Sequence, residues 1–297
     1  MNKPVWKFRH WINLDKLDFT YLSKNPNAVD YLKENPDKIN WSFLSMNPNA
    51  IELLEKHRDK INWNYLSTNP SAIKLLEKQR DKINWDELSS NPNAIKLLTE
   101  NKDKINWYYL SRNPSAISIL IDNPNKIVWS QLSINENFEV INLLKANINK
   151  IDYFNISKNP SAIEIIKNNY NKIDMVSLSL NTNKEIIDYL NNNKRKINWT
   201  LLSLNMNAIE ILEENQDKIN WCTLSMNPNA IKLLENNQDK INWTEIAINP
   251  AIFELDYEKM RKNFENLEEE IIKEVMKPSR IFRNLELFNY DIDDMFD

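Results

Sequence analysis

Glycine is absent from all 297 residues. Its absence excludes a Gly-rich phosphate loop, a nucleophile elbow and a Rossmann fingerprint, because each needs backbone where a Cβ would clash. Most nucleotide-handling and hydrolase folds fall with those motifs. Cysteine is nearly absent too. Cys222 stands alone, so no intramolecular disulfide can form and a reducing compartment is expected. Long apolar runs are missing, and no stretch approaches the roughly 18 residues of a membrane span. The first twenty residues interleave Lys3, Lys7, Arg9, Asp15 and Lys16 with aromatics, which leaves no signal-peptide core. The only histidines, His10 and His57, lie far apart and beside no carboxylate or cysteine pattern. No metal-ligand spacing is present. Accordingly no catalytic, cofactor-binding or metal-binding residue is assigned, and an enzyme is not expected.

What fills the chain is asparagine, at 49 residues, with Ile and Lys. These residues recur in phase. Units begin at Leu17, Ile39, Ile61, Ile83, Ile105, Ile127, Ile151, Ile173, Ile197, Ile219 and Ile241, 22 residues apart except that 127–150 and 173–196 run to 24. A constant period of this length is the signature of a solenoid. In the unit 61–82, Asn69 caps a helix, Pro70 follows at N1, and Ile73, Leu75 and Leu76 form an apolar stripe. That helix should end near position 19, where eight of ten complete units carry Asn, as in Asn35, Asn101 and Asn215. Asn there is expected to take the left-handed conformation usually given to glycine.

A shorter helix precedes it. Asn62 caps residues 63–67, and Ile61 and Leu66 stand at the positions of a hydrophobic staple. Its length fits an α or a 3-10 turn equally. Neither helix is stable alone, so neighbouring units must bury a continuous core. The expected fold is therefore all-α, a solenoid of about eleven two-helix repeats over 17–255. An N-terminal cap at 1–16 and a C-terminal helical cap with an acidic tail at 256–297 would cover its ends. With helices packing at about 8–10 Å, such a stack would form an arc on the order of 100 Å.

Comparing repeats within the chain assigns roles to positions. Trp holds the third position in eight units, replaced elsewhere by Phe19, Tyr153 and Met175. All are large and apolar, which points to a plug in the inter-repeat core rather than a stacking ladder for a ligand. Serines such as Ser45, Ser67 and Ser89 recur once per unit, which suits packing or backbone bonding and not catalysis. The two 24-residue units lose the proline, at Ser133–Ile141 and Ser179–Ile187; the extra residues either bend the stack or sit in a tolerant loop. Residues 257–277 read as a longer amphipathic helix with Met260, Phe264, Leu267, Ile271 and Val275 on one face, and Ser279 can cap a second short helix through Phe288. Residues 253–297 carry 13 acidic and 7 basic side chains, a balance that usually serves solubility.

The unit Ile-Asn-Trp-x-x-Leu-Ser-x-Asn-Pro-x-Ala-Ile-x-Leu-Leu resembles the short helical repeats of giant DNA virus (nucleocytoplasmic large DNA virus) proteins. The segments 11–18, 278–281 and 290–294 resemble the flanking segments of those proteins, with Lys277 where they carry histidine. The resemblance implies a viral, intracellular protein of host cytoplasm or virion, not secreted, and brings no activity or binding residues. A weaker similarity is to variant leucine-rich repeats, which alternate α and 3-10 helices.

Variation within the fixed unit marks the candidate interaction surface: Phe43, Tyr65, Glu87, Tyr109 and Gln131 on first helices, Glu52, Lys74, Lys96 and Ser118 on second helices. The function expected is a non-catalytic protein-interaction scaffold with a protein partner and no membrane. Alternatives are a reader of single-stranded RNA and a structural virion component. The RNA reading needs a basic stripe, which Glu52, Glu164 and Glu210 interrupt.

Overall fold

The computed structural model describes residues 4–277 and Arg280. It is an all-α repeat solenoid in its larger unit, residues 9–253; a smaller unit comprises 1–8 and 254–297. The first helices are α in most repeats, as at Trp41–Met46, Trp63–Thr68 and Trp199–Leu204. Asn62 accepts from the Tyr65 N–H and so caps its helix. Many of the second helices start with a 3-10 turn at Asn-Pro. At Pro70–Ala72, Asn69 accepts from the Ser71 N–H before the α-helix Ile73–Glu77 begins. A further short turn, such as Arg58–Lys60 or Lys102–Lys104, leads into the next repeat.

The core follows from the unit. Leu at position 6 (Leu22, Leu44, Leu66, Leu88), Ala at position 12 (Ala28, Ala50, Ala72) and Leu at position 16 (Leu32, Leu54, Leu76) are fully buried. Two polar rows are buried with them. Ser at position 7 donates to the carbonyl of position 3 in its own helix and accepts the position-2 N–H of the next repeat, as Ser45 does with Trp41 and Asn62 at 2.8 and 3.0 Å. Asn at position 9 spans the repeats more strongly. The Asn91 side-chain amide donates to the Ser67 and Asn69 carbonyls of the preceding repeat, both at 3.0 Å. This asparagine ladder satisfies the position-7 carbonyl and adds a second donor to the position-9 carbonyl, which already accepts the position-12 N–H, as Asn69 does from Ala72.

The ladder does not stop at the ends. Asn25, in the first repeat, donates to the Ala247 and Asn249 carbonyls of the last, both at 2.9 Å. Asn27 likewise donates to the Pro250 carbonyl at 3.1 Å, as Asn49 does to Pro26. The solenoid unit is thus a closed circuit of eleven repeats, turning about 33° per step, and not the open arc that the repeat count suggested. The eleventh repeat is built from both chain segments. Its first helix, Glu245–Ile248, and its Asn-Pro turn, Pro250–Ile252, come from one end. The turn Leu14–Lys16 takes the place that Pro36–Lys38 holds in repeat 1, with Asn13 in the phase of Asn35. The Arg9 N–H donates to the Ile252 carbonyl, the Arg9 Nε to the Ala251 carbonyl, and Lys16 lies 5.6 Å from the Trp243 ring. Residues 9–16 therefore complete the last repeat, where a cap over the first was expected. Trp11 and Ile12 are buried within this segment.

Three other expectations need correction. Position 19 is not left-handed: Asn35 has φ −130° and Asn101 φ −132°. Its amide instead donates to the carbonyl four residues back, as Asn101 does to Leu97 at 2.8 Å, which satisfies the helix end without positive φ. The Trp row is half-buried, not a core plug. The two-residue insertions do not form loops, and the ladder runs on past them. They lengthen the second helices to Phe138–Ala146 and Lys184–Asn192, and Asn159 still bonds to Ser133 and Asn135.

In the smaller unit, β1 (Trp6–Phe8) pairs with β2 (Phe253–Leu255), and the Asp256 N–H donates to the Val5 carbonyl. The helix Tyr257–Val275 follows, capped by Asp256. Met260 is half-buried on it, and Phe264 is 60% exposed. The side chains of Leu267, Ile271 and Val275, the second short helix and the acidic tail lie outside the described residues.

Candidate interaction surfaces

In the larger unit the closest packing between successive repeats runs along the first helices, and the second helices are further apart. A closed circuit bends toward its tighter layer, so the first helices form the inner layer and the second helices the outer one. Position 5 of the first helix carries an aromatic run at one part of the circuit. Tyr21 and Phe43 have ring centroids 5.8 Å apart, and Phe43 and Tyr65 6.2 Å. The Lys24 ammonium stands 4.1 Å from the Phe43 ring and 5.7 Å from Tyr21. Further along, Tyr109 meets Tyr108 edge-on at 5.5 Å and carries the Arg112 guanidinium at 5.0 Å. Cations over ring faces of this kind contribute about 0.5–1 kcal/mol at exposed sites.

Of the candidate residues, Phe43, Tyr65, Glu87 and Tyr109 lie half-buried or exposed in this row. Gln131 does not belong with them. It is buried, as are Asn155 and Ser177 after it, so position 5 faces inward over that stretch. The second set, Glu52, Lys74, Lys96 and Ser118, is exposed on second helices. The two sets occupy different layers, and the fold does not bring them together. Position 8 carries the residues that the sequence reading missed: Lys24 and Arg112 beside the aromatics, then half-buried Leu180, Leu204, Met226 and Ile248 on the other side. Their irregular mixture of types hid them, because only their shared register marks them as one row.

The outer layer carries ion pairs between repeats. Lys145 pairs with Glu164 and Lys167 with Glu185, while Lys194 reaches Glu214 at 3.1 Å and Arg80 reaches Glu100 at 3.1 Å. The Lys145 hydrogen bond holds the Glu164 carboxyl below the usual carboxylate range, and the Glu185 bond raises the Lys167 ammonium. Tyr170 stacks on Tyr189 at 5.3 Å, and partial burial pushes its phenol up. These pairs are exposed, and each contributes little to stability.

A third row was legible only in part. Position 22 is Lys in every repeat, from Lys16 for the eleventh through Lys240. In ten of them the ammonium lies over the ring at position 3, for example Lys104 over Trp85 at 4.5 Å and Lys150 over Trp129 at 4.6 Å. The exception is Lys196, whose repeat has Met175 there. Each position-3 Trp therefore carries a cation of its own chain over one face.

Among the described residues no group of three or more His, Cys, Asp or Glu side chains could hold a metal ion, and no helix is long and apolar enough to cross a membrane. Geometry defines the class: a closed circuit of short all-α repeats. No family model, curated protein or solved structure matches the chain.

Proposed function

We propose that this protein is a non-catalytic interaction scaffold that holds a protein partner on the first-helix layer of its repeat circuit. One observation carries the reading. The positions that build the circuit hardly change, with Asn at position 9 in all eleven repeats and Ser at position 7 in ten, whereas positions 5 and 8 change from repeat to repeat. Position 5 is aromatic in four of the first five repeats, with Glu87 the exception, and position 8 is apolar from Leu180 to Ile248. A frame kept constant beneath a varied face is what recognition by a solenoid requires. Aromatic and Arg side chains are also the residues that anchor protein interfaces. Repeat-by-repeat reading of RNA bases is disfavoured, because the rings that would stack on bases already lie beneath lysines.

The test is affinity capture from native cells with the full chain and with a Tyr65→Ser, Tyr109→Ser variant. The scaffold reading expects a specific protein partner on the parent chain and its loss from the variant at an unchanged melting temperature. Capture of no protein above background would overturn it.

A further inference from the structure

The turns that join the repeats are not alike in charge. Each ends in the Lys of position 22, and in seven of them Asp precedes it: Asp15, Asp37, Asp59, Asp81, Asp103, Asp217 and Asp239. Those seven turns hold ten basic and seven acidic side chains. The other four are consecutive. Pro124–Lys126, Ile148–Lys150, residues 170–172 and Lys194–Lys196 carry Asn125, Asn149, Asn171 and Arg195 in place of the aspartate. They hold six basic side chains and no acid, on a chain whose net charge is −4.

The cations of this arc are available. Lys126, Lys150, Lys172, Arg195 and Lys196 are exposed. Among the described residues none of these five has a carboxylate within ion-pair distance, while Lys194 reaches Glu214. Asp152 and Asp174, two residues after Lys150 and Lys172, turn back to cap their own helices, accepting from the Asn155 and Ser177 N–H groups. Asp122, four residues before Lys126, is exposed at the end of its helix without an ion pair to it. The asparagines add amide donors where aspartates would repel an anion. Because the turns are equivalent by repeat symmetry, they present these groups in a row of one register.

We propose that this arc, residues 124–196, docks an acidic segment of a partner protein, with Asp or Glu side chains meeting Lys126, Lys150, Lys172 and the Lys194–Lys196 turn in sequence. This surface lies apart from the first-helix row, so it extends the scaffold reading and rests on that reading for the partner being a protein. Two observations favour carboxylates over a nucleic-acid strand. The rings of the arc, Trp107, Trp129 and Tyr153, are half-buried and each carries its own lysine over one face at 4.9, 4.6 and 5.1 Å, where a base would have to displace it. The chain as a whole is acidic, whereas nucleic-acid binders are usually basic. With successive repeats about 8–10 Å apart, four turns span about 30 Å, which matches about nine residues of extended peptide.

The test restores the aspartate of the other turns. Asn125→Asp, Asn149→Asp and Asn171→Asp place in the arc a residue that this chain already accommodates at the same position in seven repeats, so folding should be kept. Binding is read by fluorescence anisotropy on the full chain with a labelled Glu-Ser repeat peptide spanning the arc, and in parallel with labelled oligouridylate. The proposal expects peptide binding that weakens with added salt and falls about tenfold or more in the triple variant, since three negative charges are added along the arc and repel the peptide together. It is overturned by absence of peptide binding, by equal binding to the variant, or by oligouridylate binding as tightly as the peptide. A triple variant that still captures the partner lost from Tyr65→Ser, Tyr109→Ser would sink the acidic-segment proposal alone and leave the scaffold reading standing.

Discussion

Ten of the eleven repeats in the circuit are continuous in the chain, and the eleventh is joined from two segments, residues 241–252 and 9–16. At an ordinary junction, such as repeat 3 to repeat 4, the ladder asparagine makes two bonds, the position-7 serine receives the next N–H, and the backbone runs through. At the seam between repeat 11 and repeat 1, Asn25 keeps both ladder bonds. Ala247 stands where serine should be, and it carries no hydroxyl to meet the Asp18 amide. Residues 9–16 carry the backbone from repeat 11 into repeat 1, and the Arg9 N–H and Nε tie them back to the Ile252 and Ala251 carbonyls. The contrast teaches that hydrogen bonds, not covalent continuity, complete the eleventh repeat and close the circuit.

The largest expected effect separates the two kinds of junction. Asn113→Ala removes two buried bonds and the cap on the Ser115 N–H, and it strands the Ser89 carbonyl while Asn91 keeps the Ala94 N–H. It should cost about 2–5 kcal/mol, from about 1–3 for the unsatisfied group and about 0.5–2 for the lost cap, read as a fall in the urea midpoint. Asn25→Ala likewise strands the Ala247 carbonyl while Asn249 keeps the Ile252 N–H, but the seam can relieve it by opening to water. It should expand the molecule in small-angle scattering while costing less in the melt. Equal losses of stability without expansion would break the comparison.

Next in size is the Trp row. Trp107 is half-buried beneath Lys126, so Trp107→Ala should cost about 1–3 kcal/mol, less than the 3–5 of a fully buried aromatic. Iodide quenching should be intermediate between that of buried and of free tryptophan. A loss above that range with no quenching would return the row to the core.

Smaller changes sharpen the seam itself. Ser89→Ala deletes one ordinary hydroxyl bridge and should cost about 1–3 kcal/mol, whereas Ala247→Ser supplies the missing one and should add about 0.5–1.5. Denaturation curves decide, and a neutral or destabilising Ala247→Ser would show that the seam backbone departs from repeat geometry. The smallest effect concerns the one repeat without a ring under its lysine. Met175→Trp should gain about 0.5–1 kcal/mol by giving Lys196 a partner; no gain would mean that the Lys row does not contribute to stability.

Much of this was readable beforehand, and the rest had physical reasons for staying hidden. The period, the Asn-Pro helix start and the Leu66, Leu76 and Ala72 core follow from capping and amphipathic spacing. Closure did not follow, because curvature arises from a small rotation per repeat that no residue type encodes. A trace of it was present: Asn13-Leu14-Asp15-Lys16 keeps the phase of Asn35-Pro36-Asp37-Lys38, and the eleventh repeat loses its pattern after Ile252. Asn69 was legible as a cap through its Oδ1, but the same side chain's amide also reaches the preceding repeat. The Trp row was misplaced because large apolar residues suit a core and a cation platform alike. The unchanging Lys of position 22 was the discriminating sign. In the candidate site, Tyr65 and Tyr109 were legible by variation, while Gln131 was not separable from them without the packing.

Closure is tested most directly by placing spin labels on either side of the seam. Thr20 and Thr244 are both exposed at position 4, in repeats 1 and 11. In a Cys222→Ser background, labels on Thr20→Cys and Thr244→Cys are compared with labels on the neighbouring-repeat pair Asn64→Cys and Asp86→Cys. A closed circuit predicts the same strong dipolar broadening for both pairs, because each spans one repeat step of about 8–10 Å. Broadening in the control pair with none across the seam would show an open solenoid and contradict the account.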